Sequence, residues 1–318
     1  MNNKNVLVIG SGVSGHTVAL KLAQSGHNVT VWSKEFDGAF PRTSLNAWAT
    51  WWPLAMDAEP RLEKWNRATL PELTKLAEDP ATGITMKPIY SLQKEMSTPW
   101  YDGKFDFFRY ARPDEIAPQY AGAFVMNSAP VIDPSTYLPW LHAQVKALGV
   151  KFERHIVDSL DCIPKEFDVV VNCTGLAARE LANDKTVYAA RVQVLRIRHN
   201  GFDKAFFDDS GPTAVVPHAD HIRIGATYDE RIETLEVDEA AVHDVLDRVR
   251  AMLPGFKVDI SDVLSVTRVL RPEREGYLIR VEQDTLTDGR LLIHNYGHDG
   301  MGYGTSYGIA EEIAGYLF

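Results

Sequence analysis

Cysteine is scarce in this chain, which has two such residues, Cys162 and Cys173, among 318. Two cysteines are too few for a disulfide scaffold and are typical of a protein from a reducing compartment. Long apolar runs are also missing, and no stretch of about 18 uninterrupted apolar residues provides a candidate membrane span. The first residues, MNNKNVLVIG, lack the long apolar region of a signal peptide, so we expect a cytoplasmic protein without a membrane partner.

Positive charge is in short supply as well. The chain has 33 Lys and Arg residues against 43 Asp and Glu residues, which gives a net charge of −10. This excess of acid argues against a nucleic-acid-binding surface, which needs clustered Lys and Arg. The sequence also lacks the Cys/His spacing of a metal site and a serine nucleophile elbow. We therefore expect neither a metal nor a nucleic-acid partner.

The rest of the composition is that of a globular protein, with 45% apolar and 24% charged residues. Disordered, collagen-like and coiled-coil chains do not have these proportions. At roughly 100–200 residues per domain, the length suits two domains or one large domain with an insertion.

The first 35 residues predict a strand–helix–strand unit. Residues 5–9 (NVLVI) form the β-branched run of a strand buried on both faces, and a second such run follows a helical pattern over 16–24. The turn between the first strand and the helix carries Gly10, Gly12 and Gly15 in the spacing GxGxxG. These glycines permit a tight turn, close approach of a pyrophosphate and close helix–strand packing. We therefore predict a dinucleotide site at the helix N-terminus.

The end of the second strand selects between nucleotides. An acid here usually binds the adenosine ribose, and the sequence reads Ser33-Lys34-Glu35. We predict that Glu35 accepts hydrogen bonds from the ribose hydroxyls, with Lys34 near a phosphate or the adenine. Two alternatives stay open: the turn is simply solvated, or Lys34 binds the 2′-phosphate of NADP in a nicotinamide enzyme.

The remainder of the chain contains segments of two kinds. From residue 42 to about 144 the sequence is rich in Trp, Pro and Tyr, with a helical patch over 59–77. The later predicted elements are a helix end and strand over 145–152, a buried strand over 167–171, antiparallel strands over 187–198 and 213–227, a helix over 237–252, a strand over 291–295 and a closing helix from Ser306. We infer a nucleotide-binding domain built from several segments, with an antiparallel domain inserted between them.

Several segments carry a more specific resemblance. Residues 169–175 (VVVNCTG), 270–276 (LRPEREG) and 294–300 (HNYGHDG) resemble a late strand and turn, an arginine segment and a C-terminal signature of the FAD-dependent D-amino-acid oxidase family. Residues 42–44 and 49–53 are similar to a further flavin-contacting stretch of that family. The matching segments occur in the family's order along the whole chain.

The resemblance implies noncovalent FAD and an α/β fold, in which a Rossmann-like FAD-binding domain carries an inserted antiparallel-sheet substrate domain. The FAD-binding domain would comprise residues 1–50, 145–190 and 262–318, and the substrate domain 51–144 and 191–261. The positions that match the family's FAD contacts are Gly10, Gly12, Val13, Ser14, Gly15, Lys34, Glu35, Thr43, Ser44, Ala49, Thr50, Val157, Thr174, Gly175, Asp299, Gly300, Met301, Gly302, Tyr303, Gly304 and Thr305.

The glycine-rich segment after the last strand is predicted to contact the flavin. Gly300, Gly302 and Gly304 are expected to let backbone N–H groups approach the flavin's pyrimidine edge, ahead of a helix that begins near Ser306. Asp299 stands where the family usually has a small residue. Because an acid facing the ring would oppose its reduction, we expect Asp299 to point outward.

The reaction implied by the resemblance is oxidative deamination of a D-amino acid. Hydride passes from the α-carbon to flavin N5, and oxygen as the acceptor then yields an imino or keto acid and hydrogen peroxide. Arg271 matches the family's carboxylate anchor, which suits the planar fork and permanent charge of arginine. Trp52, Tyr303 and Gly300 complete the predicted substrate site. Hydride transfer from a neutral amine requires no base, so His298 is expected to hold the flavin loop in shape.

One departure from the family leaves the substrate open. The family's substrate-site tyrosines fall in the segment 210–214, which reads SGPTA here. Trp52, Tyr228, Tyr296 and Tyr303 are the candidates to replace them. The alternatives are a secondary-amine, glycine-like or biosynthetic-intermediate substrate, an acceptor other than oxygen, or a catalytically silent flavoprotein. A homodimer is compatible with every one of these readings.

Overall fold

The computed structural model describes residues 3–35, 43–54, 56, 59–277 and 279–317, so Arg42 of the matched stretch lies outside the described residues. The strands are β1 (Asn5–Ile9), β2 (Asn28–Ser33), β3 (Ile84–Gln93), β4 (Phe108–Tyr110), β5 (Gly122–Ile132), β6 (Lys151–Arg154), β7 (Val169–Asn172), β8 (Val187–Arg198), β9 (Ala205–Asp208), β10 (Ala214–Pro217), β11 (His221–Gly225), β12 (Asp229–Glu230), β13 (Val263–Arg274), β14 (Arg280–Thr285) and β15 (Leu291–Tyr296). The helices are α1 (Val13–Gln24), α2 (Thr43–Asn46), α3 (Arg61–Leu76), α4 (Pro134–Ala147), α5 (Ala178–Leu181), α6 (Glu239–Met252) and α7 (Gly302–Gly315).

One sheet holds the predicted strand–helix–strand unit. Its order is β14-β15-β7-β1-β2-β6, and its strands pair in parallel except for β14 at the edge. The apolar run in β1 is buried on both faces, as the sequence predicts. Val6 and Val8 lie in the core shared with α1 and α7, whereas Leu7 and Ile9 pack with Trp32 in a separate cluster on the other face.

The second sheet is mainly antiparallel, as predicted for the inserted domain. It contains nine strands in the order β12-β8-β11-β10-β9-β3-β5-β4, with β13 paired to β8. The predicted strand over 213–227 is a hairpin, β10 and β11, because the chain reverses between Pro217 and His221. Helix α6 covers β11 with Val242, Val245, Leu246, Val249 and Met252.

Helix α7 begins at Gly302, so the predicted start at Ser306 is wrong by four residues. Gly308, further along this helix, serves close helix packing. A Cβ on Gly308 would lie 2.3 Å from the carbonyl oxygen of Trp65, which shows how closely α7 approaches α3. Helix α7 also packs against α1, so its N-terminus meets the N-terminus of α1.

The predicted domain boundaries remain a prediction, and the sheets add two details. Residues 263–274, which the prediction assigns to the FAD-binding domain, form strand β13 of the nine-stranded sheet. Helix α4, assigned mostly to the substrate domain, packs on α1. Within the described part of the chain, no helix is both long enough and apolar enough to cross a membrane.

Candidate functional site

Several of the predicted nucleotide and substrate residues lie at one edge of the six-stranded sheet. Strands β1, β2, β7 and β15 run in parallel, so their carboxyl ends lie at this edge. The segments that follow them are the glycine-rich turn, Lys34–Glu35, Thr174–Gly175 and the Asp299 turn. Ligands of open α/β sheets bind outside the carboxyl ends of the strands, so this edge is the candidate active site.

The glycine-rich turn excludes side chains at two of its three glycines. Gly10 has a φ of +114°, and a Cβ there would lie 2.4 Å from the carbonyl oxygen of Cys173. A Cβ on Gly15 would lie 2.0 Å from the carbonyl oxygen of Gly10. Both positions therefore require glycine for the turn itself. At Gly12 a Cβ would meet only the hydroxyl of Ser44, at 3.0 Å, so this glycine leaves space next to the turn.

Ser44 of α2 stands at the N-terminus of α1. The amide of Val13, the first residue of α1, donates to Ser44 Oγ at 3.2 Å. Two contacts hold α2 in this place: the Tyr303 hydroxyl donates to the carbonyl of Ser44 at 2.8 Å, and the Thr43 hydroxyl donates to the carbonyl of Leu270 at 2.6 Å. The structure thus brings together Val13, Thr43, Ser44 and Tyr303, and their contacts with FAD stay a prediction.

Glu35 supplies the observation that tests whether these residues suit FAD. Its carbonyl accepts hydrogen bonds from Ser11 and Ser33, which fixes the turn after β2. Its Oε2 atom is buried and has no hydrogen-bond partner among the residues that the structure describes. A buried carboxylate oxygen without a donor is costly, and a ribose hydroxyl is a donor of the right kind. Glu35 therefore fits the predicted ribose contact.

The end of β7 lies under the glycine-rich turn. The Thr174 hydroxyl donates to Asn172 Oδ1 at 2.7 Å, which fixes the turn after the strand. Cys173 between them is buried, which raises the pKa of its thiol to about 12, so this cysteine stays protonated. A Cβ on Gly175 would lie 3.5 Å from the ring of Pro272, so this turn adjoins the arginine segment of β13.

The remaining predicted FAD positions have diverse surroundings. Ala49 is buried, and its carbonyl accepts from the amide of Ile132, while Thr50 bridges to Val131 of β5. Val157 packs in the cluster that contains Trp32 at the end of β2. The other members are Met301, which lies in the core, Thr305, whose hydroxyl donates back to the Met301 carbonyl, and Gly302, whose Cβ would lie 3.7 Å from Val13.

Arg271 lies in a cluster of charged and phenolic groups beside this turn. Its Nε and Nη2 atoms donate to Oε1 of Glu273, at 2.9 and 2.8 Å. Glu273 is fully buried, and its Oε2 atom accepts from the hydroxyls of Tyr228 and Tyr188, at 2.6 and 3.0 Å. The Arg271 guanidinium carbon lies 5.0 Å from the centre of the Tyr228 ring. A Cβ on Gly300 would lie 3.6 Å from Nη1 of Arg271, which brings two predicted substrate residues together.

Sequence analysis did not single out Glu273, although a local signal was available. Residues i and i+2 of a strand share a face, so an acid two positions after Arg271 could have been paired with it. Burial would lower the pKa of Arg271, but the carboxylates of Asp299 and Glu273 raise it. Arg271 therefore remains charged, and Glu273 sets the orientation of its guanidinium.

The expectation that Asp299 points outward is wrong. Asp299 Oδ1 lies 2.9 Å from Nε of Arg271, and its side chain is 17% exposed. Asp299 has a φ of +50° in the turn between β15 and α7, an uncommon conformation for a residue other than glycine, which the sequence pattern does not reveal.

The tyrosine candidates for the substrate site separate into distinct environments. Tyr228 contacts Arg271, as described above. Tyr296 is fully buried, where it accepts from Arg280 and donates to Asp184, so it serves the core and not the substrate site. The rings of Trp52 and Tyr101 pack edge to face, 6.0 Å apart. The Trp52 and Tyr303 substrate contacts stay predictions.

Other polar residues of the family segments have structural contacts. His298 is 9% exposed, and its Nε2 atom bonds with Oδ1 of Asn295 at 2.8 Å, which fixes the turn before Asp299. Burial lowers the pKa of His298 to about 4, so its ring is neutral near pH 7. Arg274 pairs with Asp184 at 3.0 Å, on the opposite strand face to Arg271.

Comparison with known proteins adds independent information. The chain matches the model of the family described as FAD dependent oxidoreductase over residues 5–316. It is 33% identical to a D-amino-acid oxidase of Rubrobacter xylanophilus over 313 residues, covering 97% of this chain and 94% of that protein. A D-amino-acid oxidase of Streptomyces coelicolor is 33% identical over 316 residues, covering 97% and 95%.

Solved structures with a similar fold have a wider range of described activities. Glycine oxidase from Geobacillus kaustophilus superposes with a TM-score of 0.80 at 18% identity, covering 99% of this chain and 94% of that chain. L-Amino acid deaminase from Proteus myxofaciens has a TM-score of 0.80 at 12% identity, covering 100% and 90%. At these identities the likeness shows the fold alone.

Proposed function

Because the chain belongs to the FAD-dependent oxidoreductase family that includes the D-amino-acid oxidases, we propose that it oxidises the amine-bearing carbon of a D-amino acid or a closely related amine. The family assignment makes this an FAD-dependent enzyme acting on small-molecule amino-acid substrates. The proposal adds D stereochemistry, oxygen as the electron acceptor and hydrogen peroxide as the second product. Its stereochemical part is supported by the relatives named D-amino-acid oxidase.

The observation that carries this proposal is the position of Arg271. It lies at the carboxyl edge of the parallel strands, next to Gly300 and to the turn at Gly175. A guanidinium binds a carboxylate through two parallel hydrogen bonds, and Glu273 holds the other edge of this guanidinium in a fixed orientation. Such a clamp places the amine-bearing carbon in one orientation, which accelerates a reaction through proximity.

The chemistry asked of the protein is limited. Bound FAD supplies the hydride acceptor. The substrate carbon loses the hydride and the nitrogen loses a proton, which leaves an imino acid that water hydrolyses to a keto acid and ammonia. Two electrons and two protons convert oxygen to hydrogen peroxide. Arg271 orients the carboxylate, Tyr228 covers one face of the guanidinium, and the backbone of the Asp299 turn lines the same space.

No side chain in this scheme acts as a strong base. The neutral, buried His298 is committed to Asn295, which supports a role in fixing the turn. A neutral amine already carries its lone pair, so hydride departure is assisted from the substrate itself. We therefore expect the rate to follow deprotonation of the substrate amine as the pH rises.

The segment that lacks the family tyrosines borders a cavity. Thr213 and Pro212 line this cavity of about 560 Å³ together with Tyr228 and Arg248. Tyr228 is the residue that the cavity shares with the surroundings of Arg271, and Arg271 does not line it. The cytoplasm is our proposed location, because both cysteines are free, and the homodimer stays a prediction.

An anaerobic titration of the yellow holoenzyme tests the proposed function. The panel contains D- and L-amino acids, glycine and N-methylated amino acids, and the readout is loss of visible flavin absorption. We expect bleaching by the D series, with peroxide formed when air is admitted. Bleaching by the L series alone, or by no member, would contradict the proposal; bleaching by N-methylated amines alone would move the substrate to secondary amines.

A pair of arginine variants adds the control. Arg271→Ala should lose bleaching at substrate concentrations that saturate the wild type, with FAD still bound. Arg179→Ala removes an exposed guanidinium whose partners are Glu180 and Glu233, and should behave as wild type. Equal bleaching of the two variants would show that Arg271 does not bind the substrate.

A further inference from the structure

Two acids, Glu273 and Asp299, lie against Arg271, and Asp299 has the fewer hydrogen bonds of the two. The single proton of Arg271 Nε is directed at Glu273 Oε1, 2.9 Å away. Asp299 Oδ1 lies at the same distance from Nε yet receives no hydrogen bond from any described residue, and this oxygen is buried. Glu273, by contrast, has donors on both oxygens. The Asp299 carboxylate is thus stabilised by the positive charge of Arg271, but its Oδ1 atom accepts no hydrogen bond from a described residue.

The charges around the Arg271 guanidinium disfavour binding of the substrate carboxylate proposed above. One positive charge already faces two carboxylates when Asp299 is ionised. A substrate carboxylate at Nη1 of Arg271, next to Gly300, would be the third acid around one cation. Like charges at such short range are strongly unfavourable in a buried site. Either Asp299 leaves, or it takes up a proton.

We propose that Asp299 is a specificity-determining residue that competes with substrate carboxylates for Arg271, so that a carboxylate binds there together with a proton on Asp299. This inference rests on the proposed function, because it assumes that Arg271 is the carboxylate clamp. Asp299 acts through Arg271 and is therefore a positioning residue. Its consequence is that substrates with a further negative charge bind poorly, whereas monocarboxylates bind more tightly at lower pH.

The groups around Asp299 favour this coupling. From β13 it faces Arg271 and Glu273, and Glu273 is bonded in turn to Tyr228 and Tyr188. Within its own turn the Gly300 amide donates to it, and His298, the residue before it, is buried and neutral near pH 7. Burial raises the pKa of Asp299 to about 6, although Arg271 opposes this effect. Proton uptake is therefore accessible near neutral pH.

The test uses benzoate, a monocarboxylate that has no amine and cannot be oxidised by hydride loss. Its binding to the holoenzyme is followed between pH 5 and 8 by the change in flavin absorption. Uptake of one proton per carboxylate would weaken wild-type binding by about tenfold per pH unit above pH 6. Asp299→Asn should bind benzoate more tightly than the wild type at pH 8 and show a flat pH dependence.

Two further variants make the result decisive. Asp299→Gly is a second version of the test, since both Asn and Gly tolerate the positive φ of this position. Glu275→Gln removes an exposed acid that pairs with Arg231, and it should retain the wild-type pH slope. With an amino acid that the enzyme oxidises as substrate, Asp299→Asn should lower KM at pH 8.

Equal pH slopes in wild type and Asp299→Asn would overturn the proposal, as would weaker benzoate binding by the variant at pH 8. These failures are distinct from failure of the proposed function. If amino acids bleach the flavin but the slopes are equal, only the role of Asp299 is wrong. If no amine bleaches the flavin yet the slopes differ as expected, the charge coupling stands and the reaction is wrong.

Discussion

The two ends of the candidate site are built in opposite ways. The glycine-rich turn is made of backbone. It can form because Gly10 and Gly15 have no side chains, which would clash with neighbouring backbone atoms. The Arg271 end is made of charged side chains: a guanidinium shared by Glu273 and Asp299. A site made of backbone is sensitive to added volume and indifferent to pH, whereas a site made of opposed charges responds to pH and to isosteric changes. Experiments on each end should therefore show different signatures.

The largest expected effect lies at Gly15. In Gly15→Ala the new Cβ would lie 2.0 Å from the Gly10 carbonyl oxygen, so the turn must open. We expect a colourless protein with a lowered melting temperature, measured by visible absorption and thermal unfolding. Gly255→Ala adds the same methyl group where nothing lies within 4 Å, and should remain yellow and stable. Normal FAD content in Gly15→Ala would show that the turn does not have this geometry.

Gly12 sharpens the same point. A Cβ there would touch only Ser44 Oγ, so Gly12→Val should fold more readily than Gly15→Ala. It should nevertheless lose FAD, because its side chain would occupy the space that a pyrophosphate needs. A folded and fully yellow Gly12→Val protein would contradict the nucleotide-site interpretation.

At the charged end, Arg271→Ala should lower kcat/KM for the preferred amino acid by about 100-fold, the scale of about 3 kcal/mol for a lost charged hydrogen-bonded contact. FAD content should stay normal. Since Glu273 would lose its cation while buried, the melting temperature should fall as well. Steady-state kinetics and thermal unfolding measure the two effects. Unchanged kcat/KM would refute the clamp.

Glu35 offers a smaller effect at the nucleotide end. Its Oε2 atom makes no hydrogen bond to the described part of the chain, so Glu35→Gln should have a stability close to that of the wild type. The Kd for FAD should rise about tenfold, because a charged acceptor of ribose hydroxyls is replaced by a neutral one. Fluorescence titration of the FAD-free protein measures this Kd. The exposed Glu180 serves as control, and Glu180→Gln should leave the Kd unchanged.

The smallest predicted effect is a pH dependence of stability at Asp299. Its pKa of about 6 in the folded protein lies above the ordinary value of 3.8, so the folded state holds this proton more tightly than the unfolded chain. That contribution is complete below about pH 4 and is lost as the pH rises through 6. Asp299→Asn keeps a neutral side chain, so its melting temperature should exceed that of the wild type by about 3 °C at pH 8 and by less at pH 4. A constant difference across this range would show that Asp299 does not titrate as described.

The sequence predicted those features that local patterns determine. The strand over 5–9, the GxGxxG turn and α1 follow one another within about 20 residues, so their periodicities and glycines determine the unit. The predicted start of α7 at Ser306 was wrong because Gly302 and Gly304 are typical of loops in a sequence. Their neighbour Gly308 shows the reason for glycine in this helix, which is direct contact with the backbone of Trp65 on a distant helix.

The arrangement of charges at Arg271 depends on contacts that the sequence does not display. Glu273 lies on the strand face of Arg271, so its pairing could be predicted from spacing. Tyr188 and Tyr228 reach it only through the register of β13 against β8 and the return of the chain at β12. Asp299 has a positive φ in a turn and lies against Arg271, and neither feature is visible in the sequence pattern. The strand register and the turn conformation are properties of the folded backbone, so the sequence alone does not predict them.

A crystal structure of the FAD-bound protein with benzoate at pH 5 would test the central claim most directly. We expect the carboxylate on Arg271, with the guanidinium still held by Glu273 and the flavin beside the Gly10–Gly15 turn. A well-defined benzoate bound away from Arg271, with the Arg271–Asp299 ion pair intact, would contradict the carboxylate clamp.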